Sequence, residues 1–306
     1  MDNTVLSFYC DDTNADWVPV EAFTQFLDFL SAEGVKGESS VLLGIGWSSG
    51  HGLLSQPKTP TQKIYIEQLH RAAEHDLLDA NMEIMTHEGR FDFANGVVPE
   101  GAIHEGLWLH EPEVPTDAYQ DYFGHIIAEG ERIGVRFSGL TWPGCGCEAC
   151  THRYEELRQA GHTEVNPNVW RALLNLAKQG KFRSHTVPCF PDGTSEQGPV
   201  LMARDEQFGV YDFSPNAGDQ LGSYTNGADR ANPDYYISED GQSGRIVELV
   251  RAGAPYCLFY AHWQGMNPAT GVGWDAFTTM VKRVRTHLGA RVTWQRPSAY
   301  TDSLIR

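Results

Sequence analysis

Two adjacent carboxylates, Asp11 and Asp12, follow the apolar run V-L-S-F-Y-C at residues 5–10. Neighbouring side chains on a regular strand point to opposite faces, so the pair can approach one centre only where the chain turns. In that geometry one carboxylate can hold a cation while the other stays free for proton transfer. The same residues, with Asn14, could equally cap the helix that begins near Pro19. Other polar groups close other apolar runs: His87 and Glu88 after M-E-I-M-T, Trp142 after F-S-G-L-T, Asp212 after F-G-V-Y, and His262-Trp263 after P-Y-C-L-F-Y-A. A run as apolar as 255–261 has no need of a histidine at its end if it only fills a core, so His262 reads as chemistry. One carboxylate and two imidazoles make a divalent-metal site with a coordination position left for water. Asp12 and His87 are the first candidates and His110 the third, with His104 as the alternative. Each of these histidines could instead be a solvated loop residue.

The elements that would position these groups alternate along the chain. Strands are expected at 5–10, 40–47, 78–86, 135–142, 183–190, 208–213, 255–262 and 291–294. Helical periodicity lies between them over 18–34, 61–75, 116–134, 152–160, 168–179, 243–252 and 274–289. Gly34 is the expected terminator of the first helix, and Thr59 or Thr61 the cap of the second. Alternation of this kind predicts an α/β fold, and seven or eight strands predict a (β/α) barrel in one domain, whose functional groups collect at the carboxyl ends of the strands. Insertions are expected at about 88–115 and at the Gly- and Asn-rich 214–234, the latter as a long loop over the active face. No G-x-G-x-x-G or P-loop pattern is present.

The chain has 306 residues, 40 acidic against 23 basic, for a formal charge of −17. Such a surface repels nucleic acid and anionic membranes, and with 8 tryptophans it suits a neutral or cationic ligand such as a sugar. Trp142, Asp212 and Trp263 are the expected substrate contacts. No run has the length of a membrane span, and the first apolar run is too short for a signal peptide and lacks a basic flank. The expectation is a soluble protein, cytoplasmic or a trimmed secreted form, with no reading of oligomeric state. Six cysteines are too few for a disulfide-built fold. Cys145, Cys147, Cys150 and His152 form a compact cluster that could hold a structural zinc; reduced buried thiols or one disulfide are the alternatives.

At these residues the sequence resembles the polysaccharide deacetylases, carbohydrate esterases of the chitooligosaccharide-deacetylase type. Y-C-D-D-T-N resembles that family's paired-Asp motif, which implies Asp11 as catalytic base and Asp12 as metal ligand. His87 falls where the family's histidine pair begins, and F-Y-A-H resembles its final strand-end motif, implying His262 as acid. The resemblance implies a distorted (β/α)7 barrel and a divalent ion, zinc first, with cobalt, nickel or manganese as alternatives. It implies a reaction that removes acetyl groups from a carbohydrate. Phe91 stands where the second histidine of the pair belongs, and G-L-T-W-P-G at 139–144 lacks the family's arginine. Two other functions fit the same residues: a glycosidase pairing Asp11 or Asp12 with Glu88 or Asp212, and a sugar-binding barrel without catalysis.

Overall fold

The computed structural model describes residues 3–15, 19–44, 53–57, 59–86, 89–141, 155–157, 159, 165–183, 185–187, 199–213, 215–221, 231–269 and 272–305. Among these, the strands are β1 (Thr4–Asp11), β2 (Gly37–Val41), β3 (Leu78–Met82), β4 (Phe137–Thr141), β5 (His185–Val187), β6 (Val200–Arg204), β7 (Gly209–Asp212), β8 (Tyr256–His262) and β9 (Val292–Trp294). The helices are α1 (Val20–Glu33), α2 (Pro60–Glu74), α3 (Glu105–Trp108), α4 (Thr116–Arg132), α5 (Pro167–Lys178), α6 (Pro233–Tyr236), α7 (Arg245–Ala252), α8 (Trp263–Met266), α9 (Val272–His287) and α10 (Pro297–Ile305).

The strands form one sheet in the order β6-β7-β5-β4-β3-β2-β1-β8, with β9 paired to β1. Every pairing is parallel except β6 with β7. This is the expected α/β architecture, a distorted barrel. No ladder joins β7 to β8 among the described residues. Instead, Asn216–Gly218 runs along the free edge of β8: Ala217 N–H donates to Leu258 O (2.9 Å) and Tyr260 N–H to Gly218 O (3.0 Å). The start of the expected 214–234 loop is therefore part of the wall, and residues 222–230 lie outside the described residues.

Alternation along the strands separates two cores. Leu6, Phe8 and Cys10 on β1, with Cys257, Phe259 and Ala261 on β8, face the helices and meet Phe23, Phe26, Leu30 and Phe277. Val5 and Tyr9, with Tyr256, Leu258 and Tyr260, face the interior beside Tyr211, Phe213 and Tyr300. The remaining interior positions are polar: Ser7, Glu38, Ser40, Asp79, Asn81 and Glu83 are all buried. This explains two displaced boundaries. The second strand is G-E-S-S-V at 37–41 and begins before the expected Ser40, because its inward residues are Glu38 and Ser40; residues 45–47 of the expected 40–47 lie outside the described residues. The third ends at Met82 rather than Thr86. Strand β6 was absent from the sequence reading; as an edge strand with Val200, Leu201 and Met202 exposed, it carries no burial pattern.

The expected helix ends hold. Gly34 takes φ 67° and its N–H donates to Leu30 O, closing α1. Thr59 caps α2 in a capping box with Gln62. No described helix is long and apolar enough to cross a membrane.

The amino end of the barrel is plugged by α10. Asp79, 1% exposed, accepts Ser298 N–H (2.7 Å), Ser298 Oγ–H (2.7 Å) and Arg296 Nη1–H (2.7 Å), so it caps this helix and neutralises the arginine beside it. Tyr300 stacks on Tyr256 at 4.9 Å inside the barrel. Asp79→Ala leaves Arg296 and the first turn of α10 without this acceptor. It should lower stability by about 2–3 kcal/mol, the worth of charge-assisted hydrogen bonds, read by denaturant unfolding at unchanged m-value.

Candidate metal centre

Asp11 is the last residue of β1, Ser40 lies in β2, Glu83 directly follows β3, and His262 is the last residue of β8. All four chains are parallel, so these residues share the carboxyl end of the barrel. Register sets Asp11 directly against His262 and Ser40 against Asn81. Asp12 follows with φ 64°, the left-handed turn that lets both adjacent carboxylates approach one centre. Ile84, next to Glu83, has φ 48°, a costly conformation for a β-branched side chain. Both strained residues adjoin the same cluster, a pattern common at functional sites.

One ligand oxygen from each of Asp11, Asp12 and Glu83 lies within 4.8 Å of the others, and all three residues are buried. Ser40 Oγ touches two of the carboxylates and the backbone of the third residue. It accepts Asp12 N–H (2.8 Å) and has one hydrogen to give to Asp11 Oδ1 (2.9 Å) or Glu83 Oε2 (2.5 Å). Tyr9 donates to Asp11 Oδ1, and Tyr260 donates to Asp11 Oδ2 at 2.7 Å. The Tyr260 hydroxyl also lies 3.0 Å from His262 Nε2, which is itself 3.7 Å from Asp11 Oδ2. Gln264 Nε2–H, on α8, donates to Asp12 Oδ2 at 3.0 Å.

Three carboxylates this close repel one another on the order of 3 kcal/mol per ionised pair at an effective dielectric constant of about 20. Burial first, then the neighbouring Asp11 and Asp12, pushes the Glu83 carboxyl well above the ordinary range. Either a proton or a cation relieves that repulsion, and the convergent oxygens fit a divalent ion. The cluster alone offers only oxygen donors, which suit manganese or magnesium; an imidazole would move the preference towards zinc or cobalt.

The raised Glu83 pKa has a measurable consequence without metal. Folded protein keeps the proton above pH 4.5, the ordinary Glu value, where unfolded chain has released it. The native state then binds more protons than the unfolded state, so this contribution to stability is full below pH 4.5 and declines as pH rises through the folded pKa. Glu83→Gln cannot ionise and should abolish the decline. The expected result is a melting-temperature difference between variant and wild type, in chelator, that grows in favour of the variant from pH 5 to pH 8.

The structure brings together Asp11, Asp12 and His262 of the sequence-predicted residues. It adds Glu83, Ser40, Tyr9, Tyr260 and Gln264, which the sequence reading did not single out. The missed signal was the alternation Asp79-x-Asn81-x-Glu83, polar side chains at period 2 in a strand whose other face is apolar. His87, Glu88, Trp142, Cys145, Cys147, Cys150 and His152 lie outside the described residues. His110 follows α3, with its N–H donating to Leu107 O (2.9 Å), and is not a member of the carboxylate group. His104 Nδ1 accepts Gly106 N–H (3.1 Å) as the cap of α3. Asp212 ends β7 with the parity of Val210, which packs on the helix side, whereas Tyr211 and Phe213 face inward. Trp263, expected as a sugar platform, is 2% exposed and packs edge-on against Phe23 and Phe26 at 5.6 and 5.7 Å. Its place directly after the strand end turns it towards the outer helices, so it presents no face to a ligand here. Trp108 is buried likewise, against Tyr119 and Tyr122.

Neither a scan of protein-family models nor a search of curated proteins returns a match to this chain. Solved structures share its fold across almost its whole length. A protein of Parabacteroides distasonis assigned as a glycoside hydrolase/deacetylase superposes with a TM-score of 0.55 at 7% identity, covering 98% of this chain and 70% of that one. One of Mycobacterium smegmatis assigned as a polysaccharide deacetylase gives 0.50 at 13% identity, covering 99% and 91%. A GH57-type branching enzyme of Pyrococcus horikoshii gives 0.50 at 8% identity, covering 98% and 70%. At these identities the likeness is one of fold, and the fold serves proteins assigned to more than one carbohydrate chemistry.

Proposed function

We propose that the protein is a divalent-metal-dependent hydrolase that removes N- or O-acetyl groups from a carbohydrate. The observation that carries this reading is the Asp11–Asp12–Glu83 cluster at the carboxyl end of the barrel, with His262 beside Asp11. Asp12 and Glu83 would hold the ion, joined by His87 on the sequence grounds given above. A bound divalent ion supplies Lewis acidity and a water of lowered pKa. Asp11 takes a proton from the attacking water, and His262 gives one to the departing amine or alcohol. Ser40, Tyr9 and Tyr260 fix the Asp11 carboxylate so that it meets the water in one orientation. Gln264 does the same for Asp12.

The likeness to glycosidase folds keeps a second reading in view, glycoside cleavage by a carboxylate pair. Such a pair needs a sugar bond, or a water, between its two carboxyl groups. That reading pairs Asp11 or Asp12 with Glu88, which lies outside the described residues, or with Asp212, which has the parity of the helix-facing Val210. The metal reading instead gives the three buried carboxylates Asp11, Asp12 and Glu83, which converge within 4.8 Å, a common partner. The test is acetate release from N-acetylated oligosaccharides and acetylated xylo-oligosaccharides. Release should vanish with chelator and return with zinc, cobalt or manganese. New reducing ends produced by metal-free protein would replace the deacetylase reading with the glycosidase one.

A further inference from the structure

The segment after the metal centre folds back onto it. Residues 89–104 form a small bridged excursion, with Arg90 N–H donating to Ile103 O (2.9 Å) and Gly89 bridged to His104, and it delivers Glu105 at the start of α3. Glu105 is fully buried. Its Oε2 accepts Thr86 N–H (2.8 Å) and Met85 N–H (3.3 Å) and lies 3.2 Å from Thr86 Oγ1, whose one hydrogen it shares with Gly89 O (3.0 Å). Its Oε1 accepts the Tyr122 hydroxyl, which is itself held by Phe91 N–H (2.8 Å). From the other side, Gly44 N–H donates to Met85 O at 2.9 Å.

Met85 and Thr86 are the two residues after Ile84, and Ile84 is the strained residue that turns the chain immediately beyond Glu83. A β-branched residue at positive φ persists only where its surroundings over-determine it. The two N–H groups that follow it end on one buried carboxylate. We propose that Glu105 is a positioning residue for the metal centre: it clamps the Glu83–Thr86 turn and so fixes where the Glu83 carboxylate meets the ion. The excursion at 89–104 is on this account a bracket for the site. The inference rests on the metal reading above and adds to it the element that keeps the centre in shape.

The test is divalent-ion affinity, measured by calorimetry with manganese and zinc. Residues that orient ligands from behind typically change metal affinity about 10- to 100-fold when replaced. Glu105→Ala should weaken binding at least about 10-fold. Should that variant fail to fold, Glu105→Asp serves: it keeps the charge and the burial but shortens the reach to the turn, and should also weaken binding. Glu105→Gln, which keeps an oxygen for Met85 and Thr86, should restore most of the affinity. Glu129→Ala is the control for general destabilisation: Glu129 is a buried carboxylate on α4, bonded to Ser55 and Arg132 rather than to Met85 or Thr86, and its loss should leave affinity unchanged. Wild-type affinity in folded Glu105→Ala or Glu105→Asp overturns the positioning role and leaves the metal reading standing. Wild-type protein that binds no divalent ion overturns the metal reading, and the positioning role with it.

Discussion

Asp11→Asn should reduce the proposed deacetylation by roughly 10²- to 10⁴-fold, the usual worth of a positioned proton acceptor, while the protein remains folded. Asparagine preserves the volume and one acceptor oxygen, so it can still accept from Tyr9 and Ser40 on one side. Its amide cannot take a proton from water, and it turns a donor towards the Tyr260 hydroxyl where the carboxylate had accepted at 2.7 Å. The loss should therefore appear in kcat. Metal content measured on the same sample separates two roles: a base leaves the ion bound when replaced, whereas an indispensable ligand does not. A turnover number equal to wild type would remove Asp11 from the mechanism. His262→Ala is the companion measurement, with its largest effect expected on substrates whose leaving group needs a proton.

The second large effect is on stability in the presence of metal. An ion that binds only the folded chain stabilises it by about 2.7 kcal/mol at a concentration 100 times its dissociation constant. For a chain of 306 residues that corresponds to a rise of about 4 °C in melting temperature. Asp12→Ala should abolish the rise, because Asp12 is one of the convergent carboxylates and its backbone turn is fixed through Ser40. Glu83→Gln should abolish it too, while leaving the metal-free protein at neutral pH more stable than wild type. That opposite pair of signs is the signature of a repulsive cluster built to hold a cation. A variant merely damaged in its core would be less stable with and without metal.

The sequence showed part of this arrangement. Helices with one apolar face, such as α1 and α4, were legible because each buries only one side. Strands β1 and β8 were legible as apolar runs because both their faces are covered. Strand β2 was misplaced because its inward residues, Glu38 and Ser40, are polar. In a barrel whose interior is a hydrogen-bonded polar column, the hydrophobic signal of a strand drops by half. Asp11, Asp12 and His262 stood out because each ends a conspicuous run. Glu83 did not, since it sits among Met82, Ile84 and Met85 and looks like an interruption of an apolar strand rather than its functional end. Trp263 misled for the converse reason: a tryptophan beside a candidate acid suggests a sugar platform, but alternation past the strand end sends it outward, into the packing of α1. Contacts such as Glu105 with Met85 and Thr86 join separate segments through backbone N–H groups, which no side-chain pattern announces.

The claim on which the rest depends is that Asp11, Asp12 and Glu83 enclose a cation. Crystals grown with manganese or zinc, with diffraction recorded at the metal's absorption edge, test it most directly. The account predicts one anomalous peak at the carboxyl end of the barrel, about 2.0–2.2 Å from a carboxylate oxygen of Asp12 and of Glu83. A saturated crystal with no peak there, or with Glu83 and Ser40 hydrogen-bonded as in the metal-free chain and the ion bound elsewhere, would contradict it.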